Sequence, residues 1–184
     1  MSASRGNEPT YRAAAKALHW ITAILVLGLL AVGLWMTGLP LGFTKLYAYA
    51  WHKWIGLAVL ALTAARLLWR WRDPPPPLPD SILPLQASLA GVAHWALLGL
   101  LVAMPMSGWL MSSAAGVSVS WFGYVPLPDL VPRNQDLFET LRTTHHILAR
   151  GLIALLAAHV AAVVHHDVVR RHGVFRRMWP FGGS

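Results

Sequence analysis

The chain has 184 residues, of which 56% are hydrophobic and 12% are charged, and its formal net charge is +8. Soluble domains have about 25% charged residues, so this composition favours an integral membrane protein over a soluble one. Cysteine is absent, which excludes disulfides, thiolate-bound iron–sulfur clusters and covalently attached c-type haem. The Lys and Arg residues flank long apolar runs, so the positive charge indicates a bilayer and not nucleic acid as the partner.

Four apolar stretches approach or exceed the roughly 20 residues that a helix needs to cross about 30 Å of hydrocarbon. The predicted spans are 18–37, 47–68, 87–111 and 141–169. A Pro-rich loop separates the second span from the third, and a longer loop at 112–140 precedes the fourth. We therefore expect an all-α integral membrane four-helix bundle that forms a single domain over residues 1–184.

The distribution of positive charge predicts the orientation of the spans. One side of the membrane should carry ten cationic residues, which are Arg5, Arg12, Lys16, Arg66, Arg70, Arg72, Arg170, Arg171, Arg176 and Arg177. The opposite side should carry four, which are Lys45, Lys53, Arg133 and Arg142. Because cytoplasmic loops are enriched in Lys and Arg, both termini should be cytoplasmic.

The fourth span contains five of the nine histidines, although ionisable residues are costly inside a membrane. His145 and His159 are 14 residues apart. This is close to four helical turns, so both rings leave the same face of the helix, about 21 Å apart. Such a separation fits two haem irons stacked across a membrane. His146 is one residue out of phase and should point about 100° away.

The predicted topology places other histidines at the same two depths. His52 should lie near the outer end of the second helix, level with His145. His19 and His94 should lie near the inner ends of the first and third helices, closer to the depth of His159. Depth alone does not choose between His19 and His94 as the partner of His159. A lone intramembrane histidine commonly serves an interhelical hydrogen bond, but matched pairs on facing helices favour haem ligation.

Arg150 lies inside the fourth span, where an unpaired guanidinium is costly. It is expected to neutralise a haem propionate, to reach a polar outer cavity or to bridge to another helix. Arg66, His94 and His165 are candidates for a propionate or quinone site on the inner side. Three histidines near helix ends are not expected to be ligands, namely His146, His166 and His172.

The histidines stand in a set of short motifs. These are Leu18-His19-Trp20, Trp51-His52-Lys53-Trp54-Ile55-Gly56, Ala93-His94-Trp95, Met104-Pro105, Trp121-Phe122-Gly123, and in the fourth span His145, His159 and His165-His166. As a set they resemble the bacterial cytochrome b561 family of four-helix dihaem membrane proteins, and the resemblance covers nearly the whole chain.

This resemblance implies two b-type haems with bis-histidine ligation. On the family pattern His19 pairs with His159 at the inner haem and His52 pairs with His145 at the outer haem. Relatives commonly have another residue where this chain has His146, and the helical phase favours His145 over it as the ligand. The resemblance also implies a bacterial inner-membrane protein that exchanges electrons with ubiquinone, and a best-known member type that oxidises superoxide.

Three functions are compatible with these features. Two axial imidazoles would leave no open position for oxygen on the iron, which favours electron transfer over oxygen binding or peroxide chemistry. The first function is a superoxide:ubiquinone oxidoreductase. Superoxide would be attracted to the outer face by the cluster of Lys45, Lys53, Arg133 and Arg142. The second is a b-type cytochrome subunit that anchors a hydrogenase or another periplasmic dehydrogenase and connects it to the quinone pool. The third is a non-redox, His-rich metal-binding membrane protein.

Overall fold

Four long helices form the molecule in the computed structural model, which describes residues 10–79 and 81–181. They are α1 (Ala13–Thr37), α2 (Phe43–Arg72), α3 (Pro84–Ala114) and α4 (Gln135–Val164). All four are long and apolar enough to cross a membrane. Each helix begins several residues before the span predicted from hydropathy, because the helix continues beyond the hydrocarbon. The expected all-α four-helix membrane fold is confirmed.

Local sequence signals account for several helix ends. Pro84 occupies the first turn of α3, where its missing N–H is not needed. The Asn134 side chain accepts a 2.9 Å hydrogen bond from the Leu137 N–H and so caps α4. At the end of α1, the Lys45 ammonium donates to the Leu39 carbonyl at 2.7 Å. Continuing from α4, residues His165–Val169 form a single π-helical turn.

The helices pack in sequence order, α1 on α2, α2 on α3 and α3 on α4. Every helix contributes to one buried apolar cluster, whose members are Val26, Val59, Leu97, Leu101 and Leu152. Many other large apolar side chains are exposed, including Ile24, Leu27, Leu34 and Trp95. A membrane protein requires this arrangement, because lipid replaces the outer half of the packing.

One end of the bundle, here called the terminal end, holds the first described residues, the Pro-rich loop and the short helix α5 (Val174–Met178). Arg177 is buried and donates to the Pro77 carbonyl at 2.6 Å. Trp20 donates from its indole to the Met178 carbonyl at 2.8 Å. Arg12 pairs with Asp73 at 3.3 Å. Arg5, which the charge count includes, lies outside the described residues.

The opposite end, here called the hairpin end, is covered by two short antiparallel strands, β1 (Ser120–Trp121) and β2 (Val125–Pro126). The turn between them has positive φ angles at Phe122 and Gly123. The Trp54 indole donates to the Ser120 carbonyl at 2.6 Å, and the Trp121 indole donates to the Trp54 carbonyl at 3.2 Å. These two bonds fix the hairpin to α2, two residues from His52.

Candidate functional site

Histidines collect at two levels of the bundle, as their sequence positions predict. Toward the hairpin end, His52 of α2 and His145 of α4 are close enough to interact electrostatically. Toward the terminal end, His19 of α1 interacts in the same way with both His94 of α3 and His159 of α4. All five rings are partly buried between the helices.

The imidazole of His145 is held by α3. Its Nδ1 lies 2.8 Å from Oγ of Ser107, and that hydroxyl also lies 2.8 Å from the Met104 carbonyl oxygen, to which it donates. A Cβ on Gly108 would lie 3.4 Å from Cε1 of His145. The ring therefore rests on the backbone of α3 at Gly108 and is hydrogen-bonded one residue earlier.

The imidazole of His52 packs against α1 in a different way. A Cβ on Gly33 would lie 3.2 Å from Cε1 of His52, so only glycine leaves room for the ring in its present position. The Nδ1 atom of His52 is the one buried side-chain nitrogen or oxygen without a hydrogen-bond partner in the described part of the chain. Because Nδ1 is enclosed, a ligand reaches this ring only at Nε2.

At the level nearer the terminal end, the rings of His94 and His159 are in edge-to-face contact, with centroids 5.4 Å apart. Nδ1 of His19 lies 3.3 Å from a guanidinium nitrogen of Arg66. Arginine has only donors, so Nδ1 of His19 accepts this bond. Three histidines and one arginine thus share this level, and the structure leaves both His19 and His94 near His159.

The residues at the hairpin end fit a haem. A histidine that binds iron through one ring nitrogen keeps its proton on the other, and that N–H commonly has an acceptor. Ser107 supplies the acceptor for His145. His52 has no such acceptor among the described residues, but burial of its Nδ1 leaves Nε2 as the accessible nitrogen. Gly33 and Gly108 allow both rings to sit close to the backbone of a neighbouring helix.

The histidines nearer the terminal end fit a haem only after the hydrogen bond between Arg66 and His19 is broken. While Arg66 donates to Nδ1 of His19, the ring proton is on Nε2, and that nitrogen is not free to bind iron. Ligation by His19 through Nε2 therefore requires the Arg66 guanidinium to leave Nδ1. His159 has a ring partner at this level and carries no such bond to an arginine of the described segments.

Other predicted site residues are not brought to these two levels by any contact in the described part of the chain. Arg150 is exposed and has no hydrogen bond or ion pair there. His165 is exposed in the π-helical turn, where its ring contacts His166. His146 is exposed, as its helical phase predicts.

The four cations proposed to attract superoxide differ in their contacts. Lys45 caps α1, and Arg142 forms a 2.7 Å salt bridge with Glu139. Lys53 is half-buried with its ammonium 3.5 Å from Oγ of Ser112. The aliphatic part of Arg133 packs over Gly116. Among the described residues, neither Lys53 nor Arg133 forms a salt bridge with a carboxylate, and Lys53 directly follows His52.

Sequence reasoning missed three residues that touch the histidines, namely Ser107, Gly33 and Gly108. Small residues in a membrane helix are usually attributed to helix packing, so composition alone does not single them out. The sequence does indicate these residues by their predicted depth in the membrane. Gly33 lies near the end of the first span and Ser107 near the end of the third, where the topology also places His52 and His145.

Comparison with known proteins gives consistent matches along almost the entire chain. Residues 10–181 match the family described as prokaryotic cytochrome b561. Cytochrome b561 homolog 2 of Escherichia coli K12 is 32% identical over 176 residues, which cover 91% of this chain and 90% of that protein. A Yersinia pestis protein named probable superoxide oxidase CybB is 31% identical over 166 residues, 88% of this chain and 91% of that protein. Cytochrome b561 homolog 1 of E. coli K12 is 27% identical over 164 residues.

Proposed function

Because the chain belongs to the prokaryotic cytochrome b561 family of membrane b-type cytochromes, we propose that it holds two b-type haems and carries electrons across the bacterial inner membrane. The observation that carries this proposal is the placement of His145 and His159. They lie 14 residues apart on α4, and each meets histidines of other helices at its own level.

His52 and His145 are the residues that would hold a haem at the hairpin end, and His19 and His159 are those that would hold a haem nearer the terminal end. His94 is the alternative to His19. A b-type haem held by two imidazoles would supply a one-electron carrier without an open position on the iron, which favours electron transfer over oxygen binding. The protein's part is to hold the four imidazoles, to exclude water with the apolar cluster between the two levels, and to bring reactants to each end.

The proposed donor is superoxide and the proposed acceptor is ubiquinone. Two superoxide anions each give up one electron and leave as dioxygen. One ubiquinone takes up these two electrons and two protons to become ubiquinol. Support for superoxide comes from the name of the Y. pestis relative, probable superoxide oxidase, and from Lys53 and Arg133 at the hairpin end.

The orientation follows from charge. The terminal end carries the cationic N-terminal segment, the end of α2 and the C-terminal tail, so it is the proposed cytoplasmic end. The hairpin end then faces the periplasm. Arg66 and His94, together with His165 in the π-helical turn after α4, are the proposed residues for a propionate or for quinone on the cytoplasmic side.

The test begins with purified protein in detergent. Two b-type haems per chain are expected from the pyridine haemochrome, and anaerobic addition of potassium superoxide should reduce them. Subsequent addition of a soluble ubiquinone analogue should reoxidise them. A colourless protein would refute haem binding and favour a non-redox, His-rich protein. Reduction by ubiquinol but not by superoxide would refute superoxide as the donor.

A second function, the b-type cytochrome subunit of a larger periplasmic dehydrogenase such as a hydrogenase, is favoured by one observation. Arg150 is exposed midway along α4, where contact of a guanidinium with lipid costs at least about 3 kcal/mol. A neighbouring transmembrane subunit with a carboxylate at that depth would remove the cost.

Native mass spectrometry of gently solubilised membranes distinguishes the two functions. A stoichiometric redox subunit bound to the wild type and lost in Arg150→Leu would support the second function.

A further inference from the structure

Ser107 is placed to control a haem ligand and not only to pack a helix. It is a buried residue of α3, 6% exposed, and its hydroxyl is the hydrogen-bond partner of Nδ1 of His145 at 2.8 Å. The same hydroxyl lies 2.8 Å from the Met104 carbonyl oxygen. A hydroxyl has one proton and a carbonyl only accepts, so the Ser107 proton goes to Met104. The Ser107 oxygen is then an acceptor for Nδ1–H of His145.

The acceptor at Nδ1 determines which ring nitrogen of His145 carries the proton. Because the Ser107 hydroxyl donates to the Met104 carbonyl, its oxygen accepts from the imidazole, which places the ring proton on Nδ1. In that tautomer Nε2 carries the lone pair, which is the form of a neutral histidine that binds iron.

We propose that Ser107 is a positioning residue that fixes the tautomer and ring orientation of His145 and so tunes the haem at the hairpin end. This inference rests on the proposed role of His145 as an axial ligand. A hydrogen bond from Nδ1–H makes an imidazole a stronger electron donor, which favours ferric over ferrous iron. Ser107 thus lowers the reduction potential of this haem.

The proposed opposite ligand of the same haem lacks such a bond in the described part of the chain, because Nδ1 of His52 is buried there without a hydrogen-bond partner. Among the two proposed ligands at the hairpin end, only His145 therefore gains electron-donating strength from a hydrogen bond at Nδ1. Other buried hydroxyls show what a purely structural role looks like. Thr22 and Thr63 donate to the carbonyl four residues earlier, at 2.6 and 2.7 Å, and neither is hydrogen-bonded to an imidazole in the described residues.

The test compares Ser107→Ala with Ser107→Thr and with the control Thr63→Val, which removes a buried hydroxyl without touching a histidine. The haem content is measured first, and then both midpoint potentials by anaerobic redox titration. In Ser107→Ala, the ferric–ferrous equilibrium of one haem should shift roughly threefold to tenfold toward ferrous iron. At 59 mV per tenfold change, its midpoint potential should rise by about 30–60 mV. Ser107→Thr retains the hydroxyl and should keep the wild-type value, and Thr63→Val should change neither potential.

Two unchanged potentials in a two-haem Ser107→Ala protein would overturn the inference and leave the proposed function intact. If Ser107→Ala does not retain haem, Ser107→Cys replaces it, because a thiol is a weaker acceptor than a hydroxyl. A raised potential in Ser107→Cys then supports the inference, and an unchanged one overturns it. Wild-type protein without haem at His145 would instead refute the proposed function, and the inference with it.

Discussion

The imidazole of His52 lies against Gly33 of the neighbouring helix so closely that a Cβ there would be 3.2 Å from Cε1. The contact joins α1 to α2 at the level of the hairpin-end histidines, and its geometry depends on the missing side chain. His145 has a similar neighbour in Gly108, at 3.4 Å. Both proposed ligands of one haem therefore rest on glycines of adjacent helices.

The first prediction concerns Gly33. Gly33→Val should displace the His52 ring and lower the occupancy of the hairpin-end haem, because overpacking a filled site costs about 1–3 kcal/mol. Gly33→Ala should have a smaller effect, since a shift of a few tenths of an ångström relieves it. Haem-to-protein ratio and reduced-minus-oxidised spectra measure the loss.

Gly28→Val is the matched control, since no atom lies within 4 Å of a Cβ at that position of the same helix. Its haem content should equal that of the wild type. Full occupancy of both haems in Gly33→Val would show that the His52 ring is not held against Gly33 in the loaded protein.

The second prediction concerns the pairing of ligands. His52→Ala and His145→Ala should each remove the same haem and leave the other spectrally intact, because each removes one of the two residues proposed to bind it. His146→Ala should retain both haems, since His146 is exposed. Low-temperature absorption spectra of the three variants show which haem each variant has lost. Loss of a haem in His146→Ala but not in His145→Ala would contradict the helical-phase argument.

The sequence predicts the membrane spans of this protein but not the side-chain contacts between them. The four helices and the two histidine levels were predicted because hydrocarbon thickness and helical rise depend on no neighbour. The contacts of Ser107 and Gly33 depend on how α3 and α1 rotate about their axes, which hydropathy does not specify. Arg177 is another contact that the sequence does not predict. The charge pattern places it among the cations of the C-terminal tail, yet in the structure it is buried and donates a hydrogen bond to the Pro77 carbonyl.

The third prediction concerns Arg66, whose guanidinium lies 3.3 Å from Nδ1 of His19. A nearby positive charge disfavours ferric iron, so Arg66→Leu should lower the potential of the haem nearer the terminal end. The expected change is on the order of 1 kcal/mol, or roughly 40 mV for one electron. Arg66→Lys keeps the charge and serves as the control in the same redox titration. An equal shift in both variants would assign the effect to packing and not to charge.

The fourth prediction concerns the bonds between Trp54 and the hairpin. Trp121→Phe removes the 3.2 Å bond from the Trp121 indole to the Trp54 carbonyl, which should weaken the attachment of the hairpin by about 1 kcal/mol. Faster hydrogen exchange of residues 118–128 would show this. Trp35→Phe alters an exposed indole of α1 that has no such bond among the described residues, and exchange in the hairpin should stay unchanged. Equal exchange in Trp121→Phe and wild type would contradict the anchoring role.

The fifth prediction separates the cations proposed to attract superoxide from those with structural partners. Lys53 follows His52, and its ammonium hydrogen-bonds only to a serine hydroxyl among the described residues, whereas Arg142 forms a 2.7 Å salt bridge with Glu139. Lys53→Gln should therefore slow haem reduction by superoxide roughly threefold to tenfold at low ionic strength, and Arg142→Gln should not. Stopped-flow rates measured at increasing salt supply the check, because screening should reduce the difference between Lys53→Gln and wild type. A salt-independent loss in Lys53→Gln, or an equal loss in both variants, would assign the effect to local packing and remove Lys53 from the proposed path of superoxide.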